Sequence, residues 1–231
     1  MLLPTMRAVK SAAEIGLMRK AAAATAAGYK AALKVLKPGV SEAAVQRALE
    51  QMYVEHGADG PAYGSIVGAG LNSTVLHYKA NNQVCRAGEV LLIDSGAQYG
   101  GYACDVTRTY PISGKFSTKQ QRVYDIVLKA QLAAIKAVKP GKAMWEIDQP
   151  ARDIIEKADG GAYKDAYPHG IGHQLGLHVH DADPETELKP GMVITIEPGI
   201  YLAAEKIGVR IEDDVLVTSR GCEVLTKAIP K

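Results

Sequence analysis

Long segments of this chain occur twice. Lys37-Pro38-Gly39 returns as Lys139-Pro140-Gly141, 102 residues on. Gly88-Glu89-Val90-Leu91-Leu92-Ile93-Asp94 returns as Gly191-Met192-Val193-Ile194-Thr195-Ile196-Glu197, 103 residues on. His77, in Leu76-His77-Tyr78, is answered by His180 in Val179-His180-Asp181, again 103 on. Asp105, in Cys104-Asp105-Val106, is answered by Glu212 in Ile211-Glu212-Asp213, 107 on. Self-similarity at a near-constant offset means that one supersecondary unit is used twice. It predicts an α+β fold of two structural halves about a pseudo-twofold axis. No Pro-, Gly- or Ser-rich linker divides the halves, so residues 1–231 are expected to form one domain.

Each half reads helix, helix, sheet. Ser11-Ala12-Ala13-Glu14 is a capping box, and the Ala-rich helix it opens ends at Lys37-Pro38-Gly39. A second helix starts near Ser41, with Val45, Leu49 and Met52 on one face, and Gly57 stops it. His56, near its end, reads as a C-terminal cap. A Gly-rich, strand-like region follows from about Ile66 to Ile112. The second half starts at the capping box Ser117-Thr118-Lys119-Gln120. A further helix runs through Trp145 and Ile154 to the Gly160-Gly161 break, and a strand-like region is expected from there to Val224.

Composition narrows the partners. Lys plus Arg number 27 and Asp plus Glu 25, a formal net charge of +2. So even a balance gives no footprint for nucleic acid or an anionic membrane. No apolar run reaches the roughly 18 residues a spanning helix needs, and Met1-Leu2-Leu3-Pro4, followed by charges, is not expected to open a signal peptide. Three scattered cysteines, Cys85, Cys104 and Cys222, make no disulfide framework, so a cytoplasmic protein with reduced thiols is expected.

The repeat also places acids. Asp94 and Glu197 each follow an apolar strand; Asp105 and Glu212 lie in the next strand of each half. Alternation turns Arg210, Glu212 and Asp214 to one face, and Ala103, Asp105 and Thr107 to one face, with Cys104 turned away. A lone acid at a strand end is usually a cap or a solvated residue. Four acids brought together by a twofold are different, because without counter-charge they could not all stay ionised. Two divalent cations would balance four carboxylates, which points to a dinuclear metal site. His173, in the Gly-rich segment from Pro168 to Asp181, lacks a counterpart in the first half; an unpaired imidazole there suits two metals of unequal character.

These segments resemble a known family. Asp94-Ser95-Gly96-Ala97, Tyr102-Ala103-Cys104-Asp105-Val106-Thr107-Arg108-Thr109, His169-Gly170-Ile171-Gly172-His173, Ile196-Glu197-Pro198-Gly199-Ile200-Tyr201 and Arg210-Ile211-Glu212-Asp213-Asp214 look like the motifs of the pita-bread metallopeptidases. That family includes methionine aminopeptidase, aminopeptidase P and prolidase. The resemblance implies the pita-bread fold, with its halves around a central antiparallel sheet. It implies Asp94, Asp105, His173, Glu197 and Glu212 as metal ligands, with Asp105 and Glu212 bridging two ions. It further implies Glu197 as acid/base, His180 at the oxyanion and His77 near the scissile nitrogen. His169, Tyr201 and Arg210 match positions that line the site in proline-specific members.

Leu76-His77-Tyr78 with Asn81-Asn82, Leu177-His178-Val179-His180-Asp181, and Gly114-Lys115-Phe116-Ser117 resemble the aminopeptidase P and prolidase branch. The expected substrate is a peptide with proline at its second position, cleaved at the Xaa-Pro bond. Two divalent ions are expected as cofactor, manganese first, with Co2+, Zn2+ or Fe2+ as alternatives. Those relatives carry an N-terminal domain that this chain is expected to lack, and a homodimer is the assembly to look for. Two other readings stand beside this one: a methionine aminopeptidase-like enzyme, and a non-catalytic binding module of the same fold. A structural Ca2+ site fits poorly, since the Asp94 segment lacks the oxygen spacing of an EF-hand loop.

Overall fold

The computed structural model describes residues 2–184 and 186–231. A short helix, α1 (Leu2–Ala8), precedes the first predicted helix. Helix α2 (Ala12–Val35) starts at the Ser11–Glu14 capping box. Helix α3 (Glu42–Glu55) is capped by Ser41, and the His56 ring bonds back to the Met52 carbonyl at 2.9 Å. The sheet region of this half holds β1 (Gly60–Pro61), β2 (Ile66–Ala69), β3 (Val90–Asp94), β4 (Ala97–Tyr99), β5 (Tyr102–Ala103) and β6 (Thr107–Pro111). The second half repeats the plan: α4 (Thr118–Ala137) from the Ser117–Gln120 box, then α5 (Met144–Lys157). Its strands are β7 (Val193–Ile196), β8 (Gly199–Leu202), β9 (Ile207–Arg210), β10 (Asp213–Val217) and β11 (Cys222–Val224).

Two expectations need correction: Asp105 and Glu212 lie between strands and not within the next strand of each half, and the second strand region starts late. The second strand region does not begin at Gly160-Gly161. From residue 162 to 192, among the described residues, there is only an isolated bridge, Gln174 to Ile194. The Gly-, Pro- and His-rich composition there favours turns over a ladder, and the chain is held instead by single bonds such as Thr195 N to His173 O, 2.9 Å.

Among the described residues every strand pair is antiparallel, and the ladder falls into four pieces: β2-β3-β6, β7-β10-β11, β1-β4-β5 and β8-β9. The breaks coincide with the acids. Asp94 ends β3, Asp105 lies between β5 and β6, Glu197 between β7 and β8, and Glu212 between β9 and β10. A residue at a break is free of the ladder's strict in-and-out alternation, so its side chain can be aimed.

Each half has its own core. Ala21, Tyr29, Leu49 and Tyr53 from α2 and α3 pack on Leu91, Ile93 and Val106. Val127, Ala130, Ile147 and Ile155 from α4 and α5 pack on Ile194, Ile196 and Val215. Met18, Ala103, Leu175, Val193 and Leu216 form a smaller cluster of residues drawn from both halves. The seam itself is polar. Glu212 N donates to Thr107 O at 3.0 Å, and Arg210 N to Thr109 Oγ1 at 3.3 Å. Arg108, fully buried, pairs with Asp213 at 2.7 Å, and Gln131, Thr226 and Lys231 also donate to that carboxylate. Burial alone would raise the Asp213 pKa, but Arg108 and Lys231 outweigh it and hold it below the usual range. Removing one partner of such a buried pair typically costs about 3–5 kcal/mol, because the other is left as a naked charge.

Candidate metal centre

The four acids meet where the halves face each other. Asp94, Asp105 and Glu212 are buried, at 8%, 4% and 2% exposure. One oxygen of Asp105, one of Glu212 and one ring nitrogen of His173 lie within 4.8 Å of one another. Glu197 joins through His173, whose Nε2 is 3.4 Å from both Asp105 Oδ2 and Glu197 Oε1. The first-half position that matches His173 is a glycine, with no room for a side chain unless its neighbours shift. Leu91 pairs with Ala69, while its repeat mate Ile194 pairs with Gln174. One step back along each segment, Gly68 is therefore the mate of His173. A Cβ on Gly68 would lie 2.7 Å from the Asn72 carbonyl oxygen.

The centre is short of donors. Tyr63 sets one hydroxyl against two carboxylates, 2.6 Å from Asp94 Oδ1 and 2.5 Å from Asp105 Oδ1. It has one proton for both. Thr107 donates to Glu212 at 2.6 Å, and Thr195 to Glu197 at 3.2 Å. Arg210 is the one guanidinium bonded to a carboxylate of the cluster among the described residues. It reaches Asp94 at 2.6 Å, Thr107 Oγ1 at 3.0 Å and Tyr201 Oη at 3.0 Å. Asp214 accepts from the Asp105 backbone N–H at 3.2 Å, which fixes the turn that aims Asp105.

Electrostatics follow from this shortage. Burial, and then Asp105 against the pull of Arg210, raises the Asp94 pKa. Glu197 is pushed up to about 7, by burial first. Glu212 stands well above the carboxylate range, through burial and then its neighbours Asp105, Glu197 and Asp94. For His173 burial acts downward, yet Asp105 and Glu197 outweigh it and lift the ring to about 9. The cluster attracts positive charge strongly.

The tautomer of His173 says where that charge belongs. Nδ1 lies 3.0 Å from the Gln174 carbonyl, an acceptor only, so Nδ1 carries the hydrogen. In the neutral ring Nε2 then presents a lone pair to two carboxylate oxygens. Three lone-pair donors facing one point suit a cation between them, and a backbone carbonyl on the far nitrogen is the usual outer support of a metal-bound imidazole. Oxygen and imidazole donors together suit a divalent transition ion. The residues present therefore fit a divalent-metal site.

The remaining predicted residues form its walls. His180 sits edge-on to His173, ring centroids 4.3 Å apart, and burial and then His173 lower its pKa. His77 and His180 both line a cavity of about 240 Å³ over the acids and a neighbouring one of about 450 Å³. On the other wall a donor chain runs Arg210 to Tyr201 to His169, 3.0 and 2.8 Å, and ends at the Gly170 carbonyl. Burial lowers His169 to about 4, which keeps it the neutral acceptor of the Tyr201 hydroxyl. His178, a neighbour in the same histidine-rich segment, is exposed and forms no part of this cluster. The sequence reading did not single out Tyr63. It is one of 11 tyrosines, and its only sequence signal is a position just ahead of β2.

Known proteins fit this geometry. The family model for metallopeptidase family M24 matches residues 16–219. The chain is 38% identical to the Xaa-Pro aminopeptidase of Haemophilus influenzae, covering 100% of this chain and 60% of that protein. It is 39% identical to the Xaa-Pro dipeptidase of Pyrococcus furiosus, over 96% of this chain and 64% of that one. The solved structure of Pseudomonas aeruginosa aminopeptidase PepP superposes with a TM-score of 0.95 at 40% identity, covering 100% of this chain and 59% of that one. The chain thus spans about three-fifths of the length of these relatives. With the repeated α+β halves, the acid cluster between them and this match over nearly all its residues, the chain belongs to metallopeptidase family M24 and has the family's pita-bread fold.

Proposed function

We propose that residues 1–231 act as one catalytic domain, a dinuclear metal-dependent exopeptidase that hydrolyses the Xaa-Pro bond at the N-terminus of peptides. The observation that carries the reading is His173 Nε2, 3.4 Å from both Asp105 Oδ2 and Glu197 Oε1, on a ring whose Nδ1–H is held by the Gln174 carbonyl, so that the nitrogen that gives up its proton to a cation is the one facing the carboxylates. Asp94, Asp105, His173, Glu197 and Glu212 would hold two ions, with manganese the first choice. Bound ions supply an activated water at neutral pH and polarise the scissile carbonyl.

The chain's own residues do the rest. Glu197 receives the proton of the attacking water and passes it to the leaving nitrogen. That transfer is needed because the proline nitrogen must leave as an amine and not as an amide anion. His180 donates to the oxygen that gains charge, and His77, which lines the same two cavities, contacts the substrate near the scissile nitrogen. His169, Tyr201 and Arg210 form a stiff, donor-satisfied wall for the proline ring. The names of the Haemophilus and Pyrococcus relatives support proline at the second position over methionine at the first.

A peptide panel tests this. Ala-Pro, Arg-Pro-Pro and longer peptides with proline second are offered beside Met-Ala-Ser, with Mn2+, Co2+ or Zn2+ added after chelation. Metal-dependent cleavage of the proline peptides is expected. Cleavage of Met-Ala-Ser alone would reassign the branch, and turnover indifferent to the chelator would overturn the metal reading.

A further inference from the structure

Glu42, the first residue of α3, is fully buried at 0% exposure, and among the described residues it forms no ion pair. It is satisfied by neutral donors. Oε1 accepts from Ala69 N at 2.8 Å and Asn72 Nδ2 at 3.0 Å. Oε2 accepts from Tyr78 Oη at 2.9 Å and Gln83 N at 2.9 Å. Four donors fill the lone-pair positions of one carboxylate, so its oxygens are satisfied without a cation. The helix N-terminus on which it stands adds a favourable field.

All four donors come from one stretch, residues 69–83, and the Glu42 backbone N–H closes the loop by donating to Gln83 O at 2.9 Å. Residues 76–82 contain no helix or strand, and His77 lies among them, exposed except toward the acid centre. A second buried side chain pins the same stretch to the same helix. Asn81, at φ +44°, accepts from Val67 N and donates to Ser65 O and to Gln46 Oε1. Gln46 is four residues beyond Glu42, on the same face of α3.

We infer that Glu42 is a positioning residue for His77: its carboxylate, through the Tyr78 hydroxyl and the Gln83 amide, holds an otherwise irregular loop so that the His77 ring faces the metal centre. It lines neither cavity and touches none of the acids, so it can act on the centre only through the loop that carries His77. This inference rests on the role given to His77 under the proposed function.

Two variants test it, Tyr78→Phe and Glu42→Gln, each alone and combined with His77→Ala. The first deletes one hydroxyl and keeps the ring, so it survives even where Glu42→Gln fails to fold. Loss of one hydrogen bond to a charged acceptor should lower kcat about tenfold, with KM and metal content unchanged. In the His77→Ala background Tyr78→Phe should have no further effect, since the two act through one group. Amide hydrogen exchange of residues 75–83 should speed up in Tyr78→Phe, whatever the activity. An equal loss of kcat with and without His77, no loss of kcat, or unchanged exchange would each overturn the inference. Full activity of His77→Ala would remove the role of His77, and this inference with it, while leaving the metal reading intact.

Discussion

In the first half, β2 runs beside β3 and its Gly68 lies flat under the turn at Asn72. In the second half the matching segment has no regular strand, and His173 stands where Gly68 would be. A common scaffold has been kept and one position changed from no side chain to a metal-ligating one. The acids show the same contrast more mildly. The first half brings aspartates, whose outer oxygens share the Tyr63 proton; the second brings glutamates, each with a threonine of its own. The single guanidinium, Arg210, comes from the second half and spends its charge on the first half's Asp94. Duplication therefore built the container, and departures from symmetry built the chemistry.

The repeat-related acids should be equals. Asp105→Ala and Glu212→Ala should each lose both ions and lower turnover by about a thousandfold or more. A large difference between them would break the comparison. Glu197→Ala should also abolish turnover while weakening only one ion. His173→Ala should reduce affinity for that same ion, whereas Gly68→Ala, its mate, should leave metal chemistry intact and lower stability by about 1–3 kcal/mol through overpacking. Denaturant melts and metal titrations of the two variants separate these outcomes.

The histidine pair comes next. His180→Ala should cut kcat by about a hundredfold, with both ions retained in metal analysis. Full activity would cancel its assignment. Tyr63→Phe is smaller, an expected loss of about tenfold in metal affinity, since an outer support is removed and no ligand is lost.

The pH dependence is smaller still per unit, and its sign is fixed. His173 is raised to about 9 and Glu197 to about 7 in the metal-free protein. Both hold protons that must leave when a cation arrives. Metal affinity should rise about tenfold per unit as pH climbs from about 7 toward 9, where His173 is still protonated, and more steeply below 7, where Glu197 holds its proton too. Loading in weak buffer should acidify the solution. In the metal-free protein Glu197 alone should lower stability as pH rises from about 4.5 to 7, its unfolded and folded values. Calorimetry in buffers of different ionisation heat counts the protons.

Much of this was legible in the sequence, for a physical reason. A repeat offset transfers a strand assignment from one half to the other, so two weak signals at Asp94 and Glu197 become one strong one. Capping boxes at Ser11 and Ser117 fixed two helix starts, because cap chemistry is local. Illegible features depended on contacts far apart in the chain. Glu42 reads as an ordinary acid in a first helical turn until the 69–83 loop folds onto it. Asp181, beside His180, is met by Arg7 and Lys10 from the α1 region, a contact that no spacing announces. The stretch after Gly161 lies between apolar strand-like runs in the sequence, but its Gly, Pro and His content folds as turns held by single bonds.

The central claim is that acids from two repeated halves, with one unrepeated histidine, hold a pair of ions. Counting Mn2+ by equilibrium dialysis tests it most directly, on the unaltered chain and on Asp105→Ala and Glu212→Ala. Two ions per chain, with both lost in either variant, is the expected result. Uptake that survives loss of those carboxylates would contradict it.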